Sequence, residues 1–247
     1  AFQECYALTN INLPDSVTTI ESNAFHNCYN LESINIPNNV NYIGSDAFYN
    51  CKISEVTLPD SITTIGYRAY VSCTNLTTIN IPASVTSIES AAFQGCINLT
   101  TFNVDSNNQY YSSSDDKKIL YNKDKTYLLS YPSAEGEISI PSTVQIIGDG
   151  AFAQSLITKV ELPNSITSIG NSAFQSCSSL TEINIPNGVT SIGYSAFSGV
   201  SSLQYMEIPG SITSIPNNLF WGCSNLQSVT LPSNLETIDY DAFGYCY

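Results

Sequence analysis

Apolar residues recur along this chain in a mixed rhythm that belongs to neither a helix nor a long strand. In the stretch from residue 24 they fall at Ala24, Phe25, Cys28, Leu31, Ile34, Ile36, Val40 and Ile43. The segment Leu31-x-x-Ile34-x-Ile36 alternates apolar and polar, which predicts a strand with one buried face. Pro37 has no amide hydrogen to give to a ladder, so the strand ends there. Val40-x-x-Ile43 predicts a second short extended or turn segment with both apolar side chains inward. Gly44 follows, with equivalents at Gly66, Gly170 and Gly193, and suits a turn that needs positive φ. The next Ala-Phe-x-x-Cys then crosses back, and is expected to do so as a helical or 3₁₀ turn.

That rhythm is a repeat. Ala-Phe occurs at Ala1-Phe2, Ala24-Phe25, Ala47-Phe48, Ala92-Phe93, Ala151-Phe152, Ala173-Phe174, Ala196-Phe197 and Ala242-Phe243, with variants Ala69-Tyr70 and Leu219-Phe220. The spacings are 23, 23, 22, 23, 59, 22, 23, 23 and 23 residues. A period of this size is the signature of a solenoid. One unit cannot bury its apolar face alone, whereas stacked units share a continuous core. Adjacent strands sit about 4.8 Å apart, so roughly ten coils would give a curved rod about 45 Å long. The expected organisation is a single solenoid over 1–247. It has N-terminal repeats over 1–104, an irregular repeat over 105–136, and C-terminal repeats over 137–247.

The 59-residue gap holds two units and 13 added residues. Its second unit keeps Ile138-Ser139-Ile140-Pro141, Val144 and Ile147, while a different segment replaces its front half. There, Ile119-Leu120-Tyr121 and Tyr127-Leu128-Leu129 flank the polar run Asn122-Lys123-Asp124-Lys125-Thr126, which predicts an inserted β-hairpin. Four of the seven basic residues (Lys117, Lys118, Lys123 and Lys125) lie in this island.

Composition narrows the function. Charged residues make up 11% of the chain, against roughly 25% in an ordinary domain. With 7 basic and 21 acidic side chains the net charge is −14. Displacing counterions from phosphates needs a Lys/Arg footprint, so nucleic acid is not an expected partner. An anionic membrane surface is disfavoured for the same reason. No apolar run approaches the roughly 18–20 residues of a membrane span, so direct insertion is not expected. The chain opens at Ala1-Phe2 and closes at Cys246-Tyr247, both inside repeats, and reads as a piece of something longer.

Several residues invite chemistry. Cys5, Cys28, Cys51, Cys73, Cys96, Cys177, Cys223 and Cys246 all occupy one repeat slot. Metal ligands must converge on a point, and a column spreads them along the stack. Neighbouring cysteines are close enough in principle for disulfides, but parallel side chains in one column fit that geometry poorly. The slot also accepts Ser155 and Val200, so the expected role is a column of small, reduced core groups. His26, the one histidine, lacks an evident acid or nucleophile partner and is expected to be exposed. No Gly-x-Ser-x-Gly elbow occurs. Asp105–Asn108 and Asp115-Asp116 offer oxygen ligands for calcium without an EF-hand spacing, and an ordinary polar loop is the expectation. Asn75-Leu76-Thr77 and Asn98-Leu99-Thr100 match a glycosylation triplet at positions where the repeat supplies Asn anyway. Neither catalysis nor a cofactor is expected.

Two side chains per strand should point out to the concave surface. One column runs Asn10, Ser33, Glu55, Thr78, Thr101, Glu137, Lys159, Glu182, Tyr205 and Ser228. The other runs Asn12, Asn35, Thr57, Asn80, Asn103, Ser139, Glu161, Asn184, Glu207 and Thr230. The first half is short and, Glu55 apart, neutral, while the second adds further carboxylates around an aromatic, the type of feature that anchors a partner. The candidate binding surface is therefore Glu137, Lys159, Glu161, Glu182, Tyr205 and Glu207, together with Lys117, Lys118, Lys123 and Lys125 of the island. Trp221 is a second exposed-aromatic candidate.

The unit Ala-Phe-x-x-Cys-x-x-Leu-x-x-Ile-x-Ile-Pro-x-x-Val-Thr-x-Ile-Gly resembles the BspA-like class of leucine-rich repeats over almost the whole chain. The island, through Val104-Asp105, Asn108, Tyr110-Tyr111, Leu120-Tyr121 and Lys123-Asp124-Lys125-Thr126, resembles the hairpin insert of that class. Departures fall at Ser155 and Val200, which lack the Cys, and at Asp105, which lacks the Pro. The resemblance implies a right-handed, horseshoe-like leucine-rich-repeat solenoid, mainly β, in a surface or secreted protein of a bacterium or protozoan parasite. It further implies a non-catalytic adhesion module that binds a protein of a host or of another cell's surface. End-to-end self-association in a filament or larger complex is the alternative.

Overall fold

The computed structural model describes residues 1–247. They pack as two compact units, 1–124 with 129–133, and 125–128 with 134–247. Each is a stack of β coils without any helix.

In the first unit the strand-forming segments are Asn10–Asn12, Ser33–Asn35, Glu55–Val56, Thr78–Ile81 and Thr101–Val104. Their pairings are parallel and one repeat apart, as in Ile11 beside Ile34 and Ile79 beside Phe102. After each Pro the chain turns, and a two-residue strand follows. Thr19–Ile20, Tyr42–Ile43, Thr64–Ile65 and Ser87–Ile88 form a second parallel sheet. The second unit repeats this with Glu135–Ser139, Leu156–Glu161, Glu182–Ile183, Tyr205–Glu207 and Ser228–Thr230. Its short strands include Ile146–Ile147, Ser168–Ile169 and Ser191–Ile192. Parallel strands linked by whole coils put every repeat slot into a column, so side chains of one slot touch their own kind.

The crossing is not helical, which corrects the expectation of helical or 3₁₀ turns. Phe25 N–H donates to Ala47 O of the next coil at 2.8 Å, flanked by Asn23 N–H to Ser45 O at 2.9 Å and Asn27 N–H to Tyr49 O at 2.8 Å. The alternate amides close turns instead: Ala24 to Glu21 O at 3.1 Å, and Cys28 to Phe25 O at 3.1 Å. A helix would aim every amide along its own axis. Here half of them serve the neighbouring coil, so stacking outcompetes helix formation.

Positive φ falls at two places per crossing, for example Asn23 (58°) and Asn27 (59°), or Ser172 (51°) and Ser176 (58°). Each is the third residue of a four-residue turn, the φ signature of type II. The glycines expected to supply positive φ do something else. Gly44, Gly66, Gly170 and Gly193 are not left-handed; they sit where coils touch. A Cβ on Gly44 would lie 2.4 Å from Ser22 N, and one on Gly66 2.7 Å from the Gly44 carbonyl carbon.

Apolar columns fill both cores. In the first unit Phe2, Phe25, Phe48, Tyr70 and Phe93 stack ring on ring at 5.2–5.7 Å, and Phe102 closes the column edge-on at 72°. In the second, Phe152, Phe174, Phe197, Phe220 and Phe243 stack at 5.1–5.8 Å. Such pairs add roughly 0.5–1.5 kcal/mol each beyond their area. Tyr70 is fully buried and its hydroxyl has no partner.

The island covers the open side of the first unit. Within it Tyr111–Ser113 pairs antiparallel with Leu120–Asn122. Tyr127–Ser130 pairs in parallel with Ile146–Ile147, as a repeat strand would. Asn108 is wholly buried. Its Nδ2 donates to Pro82 O (2.8 Å) and Val85 O (3.0 Å), and its Oδ1 accepts Tyr110 N–H and Tyr111 N–H, each at 2.9 Å. Tyr111 Oη accepts Ile88 N–H at 2.6 Å, and Lys117 O accepts Phe102 N–H at 2.7 Å. Side-chain and loop atoms thus take the edge amides that a sheet cannot leave bare.

Candidate binding surfaces

The two strand faces differ in chemistry on the same scaffold. In the first unit Asn103 Nδ2 donates to Asn80 Oδ1 at 2.9 Å, and Lys117 Nζ reaches Asn103 Oδ1 at 2.9 Å. The Asn35 amide brackets Leu13, accepting its N–H at 2.7 Å and donating to its carbonyl at 3.2 Å. Polar side chains here spend themselves on the neighbouring coil.

In the second unit the register sets Glu137 beside Lys159 and Lys159 beside Glu182, with Ser139 beside Glu161 in the parallel column. Lys159 Nζ pairs with Glu182 Oε1 at 2.8 Å. That hydrogen bond, with the Glu182, Glu161 and Glu137 charges behind it, raises the lysine above its ordinary value. Ser139 Oγ donates to Glu161 Oε2 at 3.2 Å. Glu207 lies beside Thr230, and Tyr205 beside Ser228. Tyr205 is 63% exposed, and its hydroxyl donates to Gln227 Oε1 at 2.9 Å, which fixes the ring. Glu137, Lys159, Glu161, Glu182, Tyr205 and Glu207 therefore stand on one face of one unit.

The island lysines are less available than their clustering suggests. Lys117 is held on Asn103, and Lys123 Nζ donates to the Asn108 carbonyl. Lys118 lies near Asp116, whose carboxyl is held low by the Ser114 hydroxyl first and by Lys118 after it. Lys125 takes a left-handed turn position, φ 55°.

Every cysteine from the second coil onward aims its thiol at the aromatic-slot carbonyl of the preceding coil. Cys28, Cys51, Cys73 and Cys96 donate to Phe2, Phe25, Phe48 and Tyr70 O at 2.9–3.2 Å. Cys177, Cys223 and Cys246 donate to Phe152, Phe197 and Phe220 O at 3.0–3.1 Å. All eight, including the half-buried Cys5, are free thiols. Burial pushes Cys177 up to about 11 and Cys223 up to about 12, and raises Cys51 and Cys73 as well. A thiol so hard to ionise is a poor nucleophile and metal ligand.

His26 is half-buried rather than exposed, stacked on Tyr49 at 4.7 Å. Arg68 covers the other side of Tyr49 at 5.1 Å and pairs with Asp46 at 3.1 Å. This crossing-side cluster went unread in the sequence. The available signal was opposite charge in one slot of successive repeats, Asp46 then Arg68, the same signal that announces Lys159 and Glu182. The Asp105–Asn108 loop is spent on itself: Asp105 Oδ1 accepts Asn107 N–H at 2.8 Å, and Asn108 is the buried hub described above. Of the triplet asparagines, Asn98 donates to Thr74 O at 2.7 Å. Trp221 is exposed and meets Tyr245 edge-on at 5.2 Å. No three His, Cys, Asp or Glu side chains converge as a metal cage. No helix is long and apolar enough to cross a membrane.

A coil whose slots carry a stacked aromatic, a thiol donor and an alternating strand defines a leucine-rich-repeat solenoid. The family model described as BspA type leucine rich repeat region, in 6 copies, matches residues 1–115 and 127–247. The chain belongs to that family. A leucine-rich repeat protein from Eubacterium ventriosum has the same fold with a TM-score of 0.90 and 31% identity, over 99% of this chain and 66% of that one. A leucine rich cell surface protein from Faecalibacterium prausnitzii matches with a TM-score of 0.73 and 30% identity, over 97% of this chain and 62% of that one. The pneumococcal vaccine antigen PcpA shares the fold, with a TM-score of 0.66 at 22% identity, over 93% of this chain and 67% of that one. The chain thus spans about two thirds of the length of these proteins. No curated protein matches it.

Proposed function

We propose that this chain is a non-catalytic protein-binding module of a secreted or cell-surface protein, and that the strand face of residues 134–247 is its docking surface. The observation that carries this is Tyr205, an aromatic ring 63% exposed and fixed by Gln227, on one strand with Glu207 and in the repeat slot that also holds Glu137 and Glu182. Fixed aromatics lose little entropy on binding and dominate the energy of protein interfaces. The surface location is supported by the likeness to the leucine rich cell surface protein of F. prausnitzii. The island, through Lys117, Lys118, Lys123 and Lys125, is a separate candidate contact, weakened by the internal bonds of Lys117 and Lys123.

The test is binding of the 247-residue chain to a panel of extracellular and cell-surface proteins, alongside two variants. One carries Tyr205→Ala with Glu161→Lys and Glu207→Lys; the other carries Asn35→Lys and Asn80→Lys on the first unit's face. The second-unit variant is expected to lose its partner, with Tyr205 alone accounting for about 2 kcal/mol, while the first-unit variant keeps it. Equal retention by both variants moves the docking surface elsewhere.

A further inference from the structure

We infer that the second unit's strand face takes a polyproline-II segment bearing a basic side chain at every third residue, laid along the stack of coils. This rests on the docking reading above and names the partner's chemistry. Glu161 and Glu207 are exposed and share one slot of the repeat, two coils apart. Asn184 fills that slot between them. Its amide brackets Leu162, accepting the N–H at 3.2 Å and donating to the carbonyl at 3.3 Å, so the rung between the two carboxylates is neutral. In the neighbouring slot Glu137 and Glu182 stand in the same two-coil relation, but Lys159 between them pairs with Glu182. With one lysine against Glu137, Glu161, Glu182 and Glu207, a net negative charge is therefore left on this face. The first unit's equivalents, Asn35, Thr57, Asn80 and Asn103, carry none.

Spacing selects the guest. Two strand spacings are about 9.6 Å. A guest β-strand presents side chains on one face every two residues, roughly 6.8 Å, and falls out of step. An α-helix returns to one face at about 5.4 Å per turn, so its two-turn repeat of about 10.8 Å overshoots. A polyproline-II helix turns once in three residues and rises about 9.3 Å, a match to a few tenths of an ångström. Its fixed backbone has little entropy to lose on binding, and proline rings dock on aromatic surfaces. Tyr205, on one strand with Glu207, offers such a ring, its hydroxyl held by Gln227 at 2.9 Å.

The experiment titrates the 247-residue chain against fluorescent peptides followed by anisotropy. One peptide has six Pro-Pro-Arg triplets. A second has the same composition with unevenly spaced arginines. A third keeps the arginine spacing on Gly-Ser. The first is expected to bind, the other two about 5-fold or more weaker, with Glu161→Gln/Glu207→Gln and Tyr205→Ala each costing about 10-fold. Equal affinity for all three peptides overturns the inference while the docking reading stands, since that would be charge attraction without spacing. Binding by none of them also overturns the inference and leaves the docking reading to the protein panel. Unchanged affinity in the Glu161/Glu207 variant rejects this face as the peptide's site, and with it the inference.

Discussion

The two units build the same coil and present different faces. In residues 1–124 the outward strand positions are, apart from Glu55, amides and hydroxyls, and Asn35 and Asn103 are tied to the neighbouring coil. In residues 134–247 they are carboxylates, one lysine and a fixed tyrosine. The cores beneath are interchangeable: five stacked aromatics in each, thiols aimed at the same carbonyl, the same parallel registers. Because core columns and backbone hydrogen bonds between coils hold the stack, the outward slots can vary more freely than the core. The units differ too at the edge. The first is covered by its island through Asn108, Tyr111 and Lys117, and in that unit these few residues do work that elsewhere a whole coil does.

That contrast can be broken most sharply at Asn108. Asn108→Ala strands two carbonyls and two amides, and should cost about 3 kcal/mol or more. Hydrogen exchange should show the loss of protection across residues 82–112 and not in the second unit. Alkaline titration comes next. Buried thiols ionise near 9.0 once unfolded but only at about 11 to 12 when folded, as at Cys177 and Cys223, and Cys51 and Cys73 are raised by burial too. Below pH 9 their contribution is full and level. Above it the unfolded chain binds fewer protons than the folded one, so stability falls, by about 1.4 kcal/mol per pH unit for each such thiol. Denaturation midpoints from pH 7 to 11 should drop past pH 9.

Smaller effects sharpen the comparison. Tyr70 places an unpaired hydroxyl in the first unit's aromatic column, where the second has only phenylalanine. Tyr70→Phe should stabilise by about 1 kcal/mol, read as a raised melting temperature. Val200 leaves Phe174 O without the thiol donor its counterparts enjoy; Val200→Cys should add about 0.5 kcal/mol, and a lower melting temperature would show that volume in that slot outweighs the bond.

Much of this was legible because repetition averages over context. Ten copies of one pattern identify the buried slots, so the repeat alone places Phe25, Ile34 and Cys28 in the core. The outward columns, including Lys159 against Glu182, followed from slot arithmetic alone. What misled was local: Ala-Phe-x-x-Cys has the spacing of a helical turn, and Gly44 looks like a turn glycine. Neither reading weighs a neighbouring coil, whose carbonyls take the crossing's amides and whose backbone leaves Gly44 no room for a Cβ.

From sequence came the period, the coil's two strands, the columns and the charge of each face, because these depend only on which residue sits in which slot. Left to tertiary structure were the turn conformation of the crossings, the thiol-to-carbonyl bonds, the burial of Asn108 and the internal capture of Lys117 and Lys123. Each of these is a contact between atoms some 14 to 26 residues apart, and such a contact is settled only when packing brings a particular donor to a particular acceptor.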